Sequence, residues 1–85
     1  MIASAGTMES NDCLVTVRKQ EGLTIRIESV VYAQFGKRIR QVVEETLSAR
    51  GIEDLYVLIE DKGALDYTIR ARLYTALERL GERDA

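Results

Sequence analysis

The chain has 85 residues, enough for one small domain, and 46% hydrophobic content without tryptophan specifies an aliphatic core rather than a disordered chain. Fourteen acids against 12 bases give a formal charge of −2, without the basic excess of a nucleic-acid binder. The absence of histidine removes the commonest general base and the usual zinc ligand, and one cysteine cannot close an internal disulfide.

Residues 1–11 mix small, polar and isolated apolar side chains with no sustained period, so they are expected to form a flexible N-terminal arm ahead of a single domain over 12–81. From Cys13 the pattern alternates. Cys13, Val15 and Val17 face one way and Leu14, Thr16 and Arg18 the other, which predicts a strand. Gln20-Glu21-Gly22 supplies a turn, and a second strand follows with Leu23, Ile25 and Ile27 on one face. So short a connection predicts an antiparallel hairpin.

The period changes after Ser29, the expected helix N-cap. Val31, Phe35, Ile39, Val42, Val43, Thr46 and Leu47 recur at three- and four-residue steps, which predicts a helix with that face on the core. Gly36 inside this helix points to close packing, and Gly51 suits its C′ position. Leu55 to Ile59 is an apolar run too short for a helix and bounded by acids, so it reads as a strand covered on much of both faces, hence the central strand. Past Asp61-Lys62-Gly63, a second helix places Ile69, Leu73, Ala76, Leu77 and Leu80 on one face, with Asp66 as candidate cap and Gly81 as candidate terminator. Residues 82–85 are expected to fray.

The expected fold class is α+β, a small two-layer ββαβα domain: an antiparallel hairpin plus a third strand, with two helices packed on one face. The second strand, first helix and third strand form a crossover, so those strands are expected to run parallel with a right-handed connection. No apolar run approaches the ~20 residues that span a bilayer. The N-terminus lacks the basic-then-apolar pattern of a secretory signal, and a cytoplasmic location is expected.

Little in the chain points to chemistry. No phosphate-binding glycine motif occurs, and the pairs Glu44-Glu45, Glu53-Asp54 and Glu60-Asp61 diverge on any regular element. Lys37, Arg38 and Arg40, and the stripe Arg70, Arg72 and Arg79, read as solvated helix faces, with docking onto an acidic partner as the alternative. Tyr67 and Tyr74 share a helical face at the edge of the core. Cys13 is in phase with buried valines, which makes an inert structural thiol the expectation. Ser10, in the small polar run Gly6-Thr7-Met8-Glu9-Ser10-Asn11-Asp12, is poorly equipped for catalysis and well placed to be modified.

That run resembles the Gly-Thr-Leu-Glu-Ser-x-Asp segment of the citrate lyase acyl carrier protein (gamma subunit) family, with methionine at position 8 where leucine is usual. Gln34-Phe35-Gly36, Gln41-Val42-Val43 and Glu45-Thr46-Leu47 resemble the family's first helix. Asp61-Lys62-Gly63-Ala64-Leu65-Asp66, then Ile69-Arg70-Ala71-Arg72, resembles its most recognisable downstream block. The resemblance implies a non-catalytic carrier subunit. Ser10 would be joined through a phosphodiester to a phosphoribosyl-dephospho-coenzyme A group by a prosthetic-group transferase, and the arm's thiol acetylated by a ligase. The alpha subunit would exchange acetate for citrate on that thiol. The beta subunit would split the citryl thioester into oxaloacetate and the acetyl thioester. Glu9 and Asp12 would orient the modifying enzyme. The alternatives are the carrier of a related malonate decarboxylase, or an interaction module that binds a protein through its open sheet face and arginine stripe.

Overall fold

The computed structural model describes residues 1–84, with side chains described as far as Gly81. In chain order the elements are β1 (Ile2–Gly6), β2 (Cys13–Arg18), β3 (Leu23–Ser29), α1 (Tyr32–Ala49), β4 (Leu55–Asp61) and α2 (Asp66–Asp84). The four strands form one sheet in the order β1-β2-β4-β3. Helix α1 lies over β3, α2 lies over β1 and β2, and the two helices touch on that same face. The α+β two-layer architecture is therefore as the sequence predicts.

β4 organises the sheet. Leu55, Val57, Ile59 and Asp61 are buried on the helix side, while Tyr56, Leu58 and Glu60 on the opposite face are only half-covered, so the cover expected on both faces is complete on one. β4 pairs parallel with β3 and antiparallel with β2. The parallel β3-α1-β4 crossover matches expectation.

The hairpin does not. β2 and β3 run antiparallel to each other, but β4 is inserted between them. A strand apolar on both faces needs two partners, and the crossover already assigns β3 to one edge, leaving β2 for the other. Two strand spacings are about 10 Å, a span that residues 19–22 can cover at ~3.3 Å each. The connection passes over the start of β4 and is fastened there: Leu55 N–H donates to the Gly22 carbonyl at 2.9 Å, and Gly22 N–H to Asp54 Oδ1 at 2.8 Å.

The expected N-terminal arm is also corrected. Residues 2–6 form an edge strand, paired antiparallel with β2 from Ile2↔Arg18 to Gly6↔Leu14. Ala3 and Ala5 are buried against α2. Their alternation is written in methyl groups, small enough for a helix to pass close and too small to register as an apolar pattern. Thus the real hairpin is β1-β2, and Ser10 sits in its loop.

The core is aliphatic. Val15, Val17, Val57 and Ile59 from the sheet meet Val42, Val43, Leu47, Ile69 and Leu73 from the helices, with Cys13 fully buried among them. Ser29 ends β3 instead of capping α1. Its Oγ accepts a hydrogen bond from Val31 N–H at 3.1 Å and donates to Asp61 Oδ2 at 2.8 Å. Gly36 is packed beneath the ring of Tyr32, one turn earlier in α1, and a Cβ there would collide with it. Helix α2 passes the expected terminator Gly81 and continues to Asp84, through residues expected to fray over 82–85, of which Ala85 lies outside the described residues. Among the described residues no helix is long and apolar enough to cross a membrane.

Phe35 departs from its expected place. It is in phase with the α1 core stripe yet 51% exposed, because it lies along the open groove between α1 and the start of α2.

Candidate functional site: the Ser10 loop

The loop from Thr7 to Asp12 closes the β1-β2 hairpin and is held at nearly every residue. Gly6 opens it with a φ of 103°, and a Cβ there would strike the carbonyl of Cys13 across the hairpin. Thr7 N–H donates to that carbonyl at 3.2 Å. The Thr7 hydroxyl donates to Asp12 Oδ2 at 2.8 Å and accepts from Glu9 N–H at 3.2 Å. Asp12 N–H then returns to the Glu9 carbonyl at 3.1 Å, which makes Glu9 to Asp12 a β-turn. Ser10 and Asn11 are its central residues. Asn11 has a φ of 67°, at the position where turns of this kind favour glycine or asparagine.

Ser10 is therefore an exposed alcohol on a fixed turn, not on a flexible arm. Its hydroxyl has no hydrogen-bond partner among the described residues. Among the described residues no carboxylate or amine is hydrogen-bonded to it as an activating base would be.

Two distant segments brace the turn. One is the end of β4. Asn11 N–H donates to the Lys62 carbonyl at 2.8 Å, and Lys62 N–H to the Asp12 carbonyl at 2.9 Å, extending the β2-β4 ladder beyond Cys13↔Asp61. Asp61 is itself buried and accepts from the Ser29 hydroxyl and from Ala64 N–H at 2.9 Å, fixing the Lys62-Gly63 turn.

The other brace is α2. Arg72 reaches Asp12 in a two-pronged pair, Nε to Oδ1 and Nη2 to Oδ2, each at 3.0 Å. Asp12 Oδ1 also accepts from Cys13 N–H at 2.7 Å. Arg79, seven residues on, donates to the Ser4 carbonyl of β1 at 2.8 Å. Two members of the arginine stripe thus clasp the chain's own hairpin, which corrects their assignment to solvent or to a partner. Arg38 likewise pairs with Asp66 at 2.7 Å, tying α1 to α2. Asp12 is correspondingly a structural residue, whereas the neighbouring Glu9 is exposed.

The hydrogen bonds from Arg72, then from Thr7 and Cys13 N–H, lower the Asp12 carboxyl from 3.8 to about 2. A value depressed in the fold stabilises the fold above the unfolded value and stops doing so as pH falls through the folded one. The clamp should therefore be intact above pH 3.8 and lost as pH approaches about 2. In an acid unfolding series, Asp12→Asn is expected to flatten the stability curve across that window relative to the parent chain. An unchanged slope would deny the clamp its role.

Cys13 offers no rival anchor. Burial, followed by the nearby Asp12 and Asp61 charges, pushes its thiol up to about 12, so it stays protonated and unreactive inside the core. Among the described residues no cluster of acids and cysteine could hold a metal ion.

Known proteins resemble the chain over most of its length. The family model ACP, malonate decarboxylase delta subunit (MdcD), matches residues 2–80. The citrate lyase acyl carrier protein of Halothermothrix orenii is 45% identical over 78 residues, covering 91% of this chain and 83% of that protein. Those of Streptococcus uberis and Cronobacter sakazakii are 49% and 52% identical, covering 96% and 94% of this chain and 82% and 84% of theirs. The chain belongs to the citrate lyase acyl carrier protein family. Its fold is shared by a chain in the crystal structure of a Pseudomonas malonate decarboxylase hetero-tetramer in complex with malonate, with a TM-score of 0.80 over 92% of this chain and 81% of that one at 24% identity.

The family's two sequence blocks, about 50 residues apart, are thus one structure. Gly6, Thr7, Asn11 and Asp12 shape the turn, while Asp61, Lys62 and Arg72 hold it. Sequence reasoning missed the clamp. Its trace was the seven-residue spacing of Arg72 and Arg79, which places both on one helical face.

Proposed function

We propose that the chain is the acyl carrier subunit of a citrate lyase and that Ser10 is the attachment point of its prosthetic group. The observation that carries this is the exposed, unengaged hydroxyl at the crest of a turn that Thr7, Asn11 and Asp12 hold in place. Ser10 would form the phosphodiester to a phosphoribosyl-dephospho-coenzyme A group, and Lys62, whose backbone is bonded to Asn11 and Asp12, is a cationic residue next to the loop in the fold. When bound, the group supplies a thiol on which acetyl and citryl groups are passed between the transferase (alpha) and lyase (beta) subunits. The chain itself contributes no reacting group. Its part is to hold one end of the arm rigidly, so that the other end sweeps a small volume at an effective concentration of roughly millimolar.

Intact mass of the chain co-produced with the prosthetic-group transferase tests the assignment. A single increment is expected, absent from Ser10→Ala, and citrate cleavage by the reconstituted complex should be lost with it. A Ser10→Ala chain that still gains the mass would overturn it.

The matched family model also favours a second reading, the carrier of a malonate decarboxylase. The modified chain would then support malonate decarboxylation, and not citrate cleavage, with the corresponding subunits.

A further inference from the structure

Helices α1 and α2 diverge at the end of the molecule that bears the Ser10 loop and leave a groove of about 570 Å3 between them. Its walls are mainly apolar: Val31, Phe35 and Ile39 from the α1 side, Ala64, Leu65 and Tyr67 from the start of α2. Phe35, Leu65 and Tyr67 are 51%, 59% and 65% exposed. Large apolar side chains gathered in one concavity at a single end call for an occupant, since isolated exposure alone would not place them together. The volume falls in the range of small-molecule sites, roughly 300–1,000 Å3. The Arg38–Asp66 pair borders it.

The groove adjoins the anchor. Gly63 is part of its lining, and a Cβ on Gly63 would be in ordinary contact, 3.6 Å, with Asn11 Oδ1. Asn11 is also bonded to the Lys62 carbonyl. Ser10 precedes Asn11 in the chain and so stands one residue, and the length of the Asn11 side chain, back from the groove's lip. The lip is a glycine, with no side chain to bar a thread crossing it. A substituent of coenzyme length is longer than one residue and one asparagine side chain together.

We infer that the groove between α1 and α2 is a docking site for the arm attached at Ser10, holding its pantetheine portion against Phe35 and Leu65 while no partner is engaged. This rests on the assignment of Ser10 made above. Docking shortens the excursion of the arm and shields its acyl thioester from water and stray thiols. A catalytic subunit would have to draw the arm out, so loaded chains meet the right partner before they lose their cargo. An apolar side chain of a catalytic subunit is the competing occupant.

The test uses the modified chain, with its mass verified first, and measures how fast the arm's thiol reacts with an aromatic disulfide reagent, with free coenzyme A as reference. Buried Cys13 stays silent in the folded protein. An arm docked nine-tenths of the time should react about tenfold more slowly than free coenzyme A. Phe35→Glu or Leu65→Glu, both at exposed positions that leave the core untouched, should restore the free rate. Backbone amide resonances of residues 63–67 should also shift between the unmodified and modified chains. A thiol that reacts at the free rate in the parent chain, with those resonances unmoved, overturns the proposal and assigns the groove to a partner subunit. A chain that gains no mass at all overturns the Ser10 assignment and the occupant with it.

Discussion

Gly6→Ala is expected to cost on the order of 3 kcal/mol of stability and to unseat the Ser10 loop. The side chain has no room to settle. Its Cβ would be driven into the Cys13 carbonyl, which already accepts the Thr7 N–H, and a φ of 103° is closed to alanine without strain. Relief requires the hairpin strands to part at the point where Thr7 and Asp12 begin to shape the turn. Domains of this size shift by roughly 4–8 °C in Tm per kcal/mol, so the loss should exceed about 12 °C. It should appear in urea as a lower midpoint at unchanged m. Prosthetic-group attachment should fall as well, because the modifying enzyme would meet a displaced serine. A variant within about 0.5 kcal/mol of the parent chain would mean that the hairpin does not close as described.

Asp61→Ala is the second large effect, with an expected cost of roughly 2–4 kcal/mol. Asp61 is 2% exposed, and its two oxygens serve separate segments, the Ser29 hydroxyl at the end of β3 and Ala64 N–H past the Gly63 turn. Alanine leaves two part-buried donors without their acceptor, and a partly desolvated donor without a partner costs more than the modest net value of the bond itself. Asp61→Asn keeps one oxygen for Ala64 N–H, and its amide nitrogen can donate to a rotated Ser29 hydroxyl, so most of the stability should return. The pair of variants separates lost hydrogen bonds from lost volume. Equal destabilisation by alanine and asparagine, read from denaturant midpoints, would contradict this account. Since Lys62 follows directly and aligns Asn11 and Asp12, the alanine variant should also show faster amide exchange at Asn11 and Lys62.

Much of the scaffold was legible because its signals are large. β4 announces itself through an apolar run too short for a helix, and the β3-α1-β4 crossover follows from the change of period at Ser29. Two features were hidden by physical causes. β1 speaks through Ala3 and Ala5, whose burial depends on the close passage of α2 and not on apolar bulk. The apparent β2-β3 hairpin arises because four residues suffice for a tight turn and equally for a step across an inserted strand. Only the demand of β4 for two partners decides between them, and that is a property of the whole sheet.

The site divides in the same way. Ser10 was conspicuous as an exposed hydroxyl in a polar run and gained its meaning from family resemblance, whereas the geometry that fixes it was not local. Asp12 read as a surface acid beside the serine, yet its carboxylate faces Arg72, 60 residues on. Phe35 showed its helical phase correctly, but whether the end of that stripe is covered depends on where α2 begins. Periodicity reports which face a residue occupies; it does not report how far the neighbouring element extends.

The central claim is that one oxygen atom, on Ser10, bears the acyl-carrying arm. Peptide mapping by tandem mass spectrometry, on the chain taken from an assembled complex that is actively cleaving citrate, tests it most directly. The expected result is one modified peptide containing residues 7–12, with fragment ions that place the phosphodiester-linked mass on Ser10. An unmodified Ser10 in such a complex, or the added mass on any other residue, would contradict it.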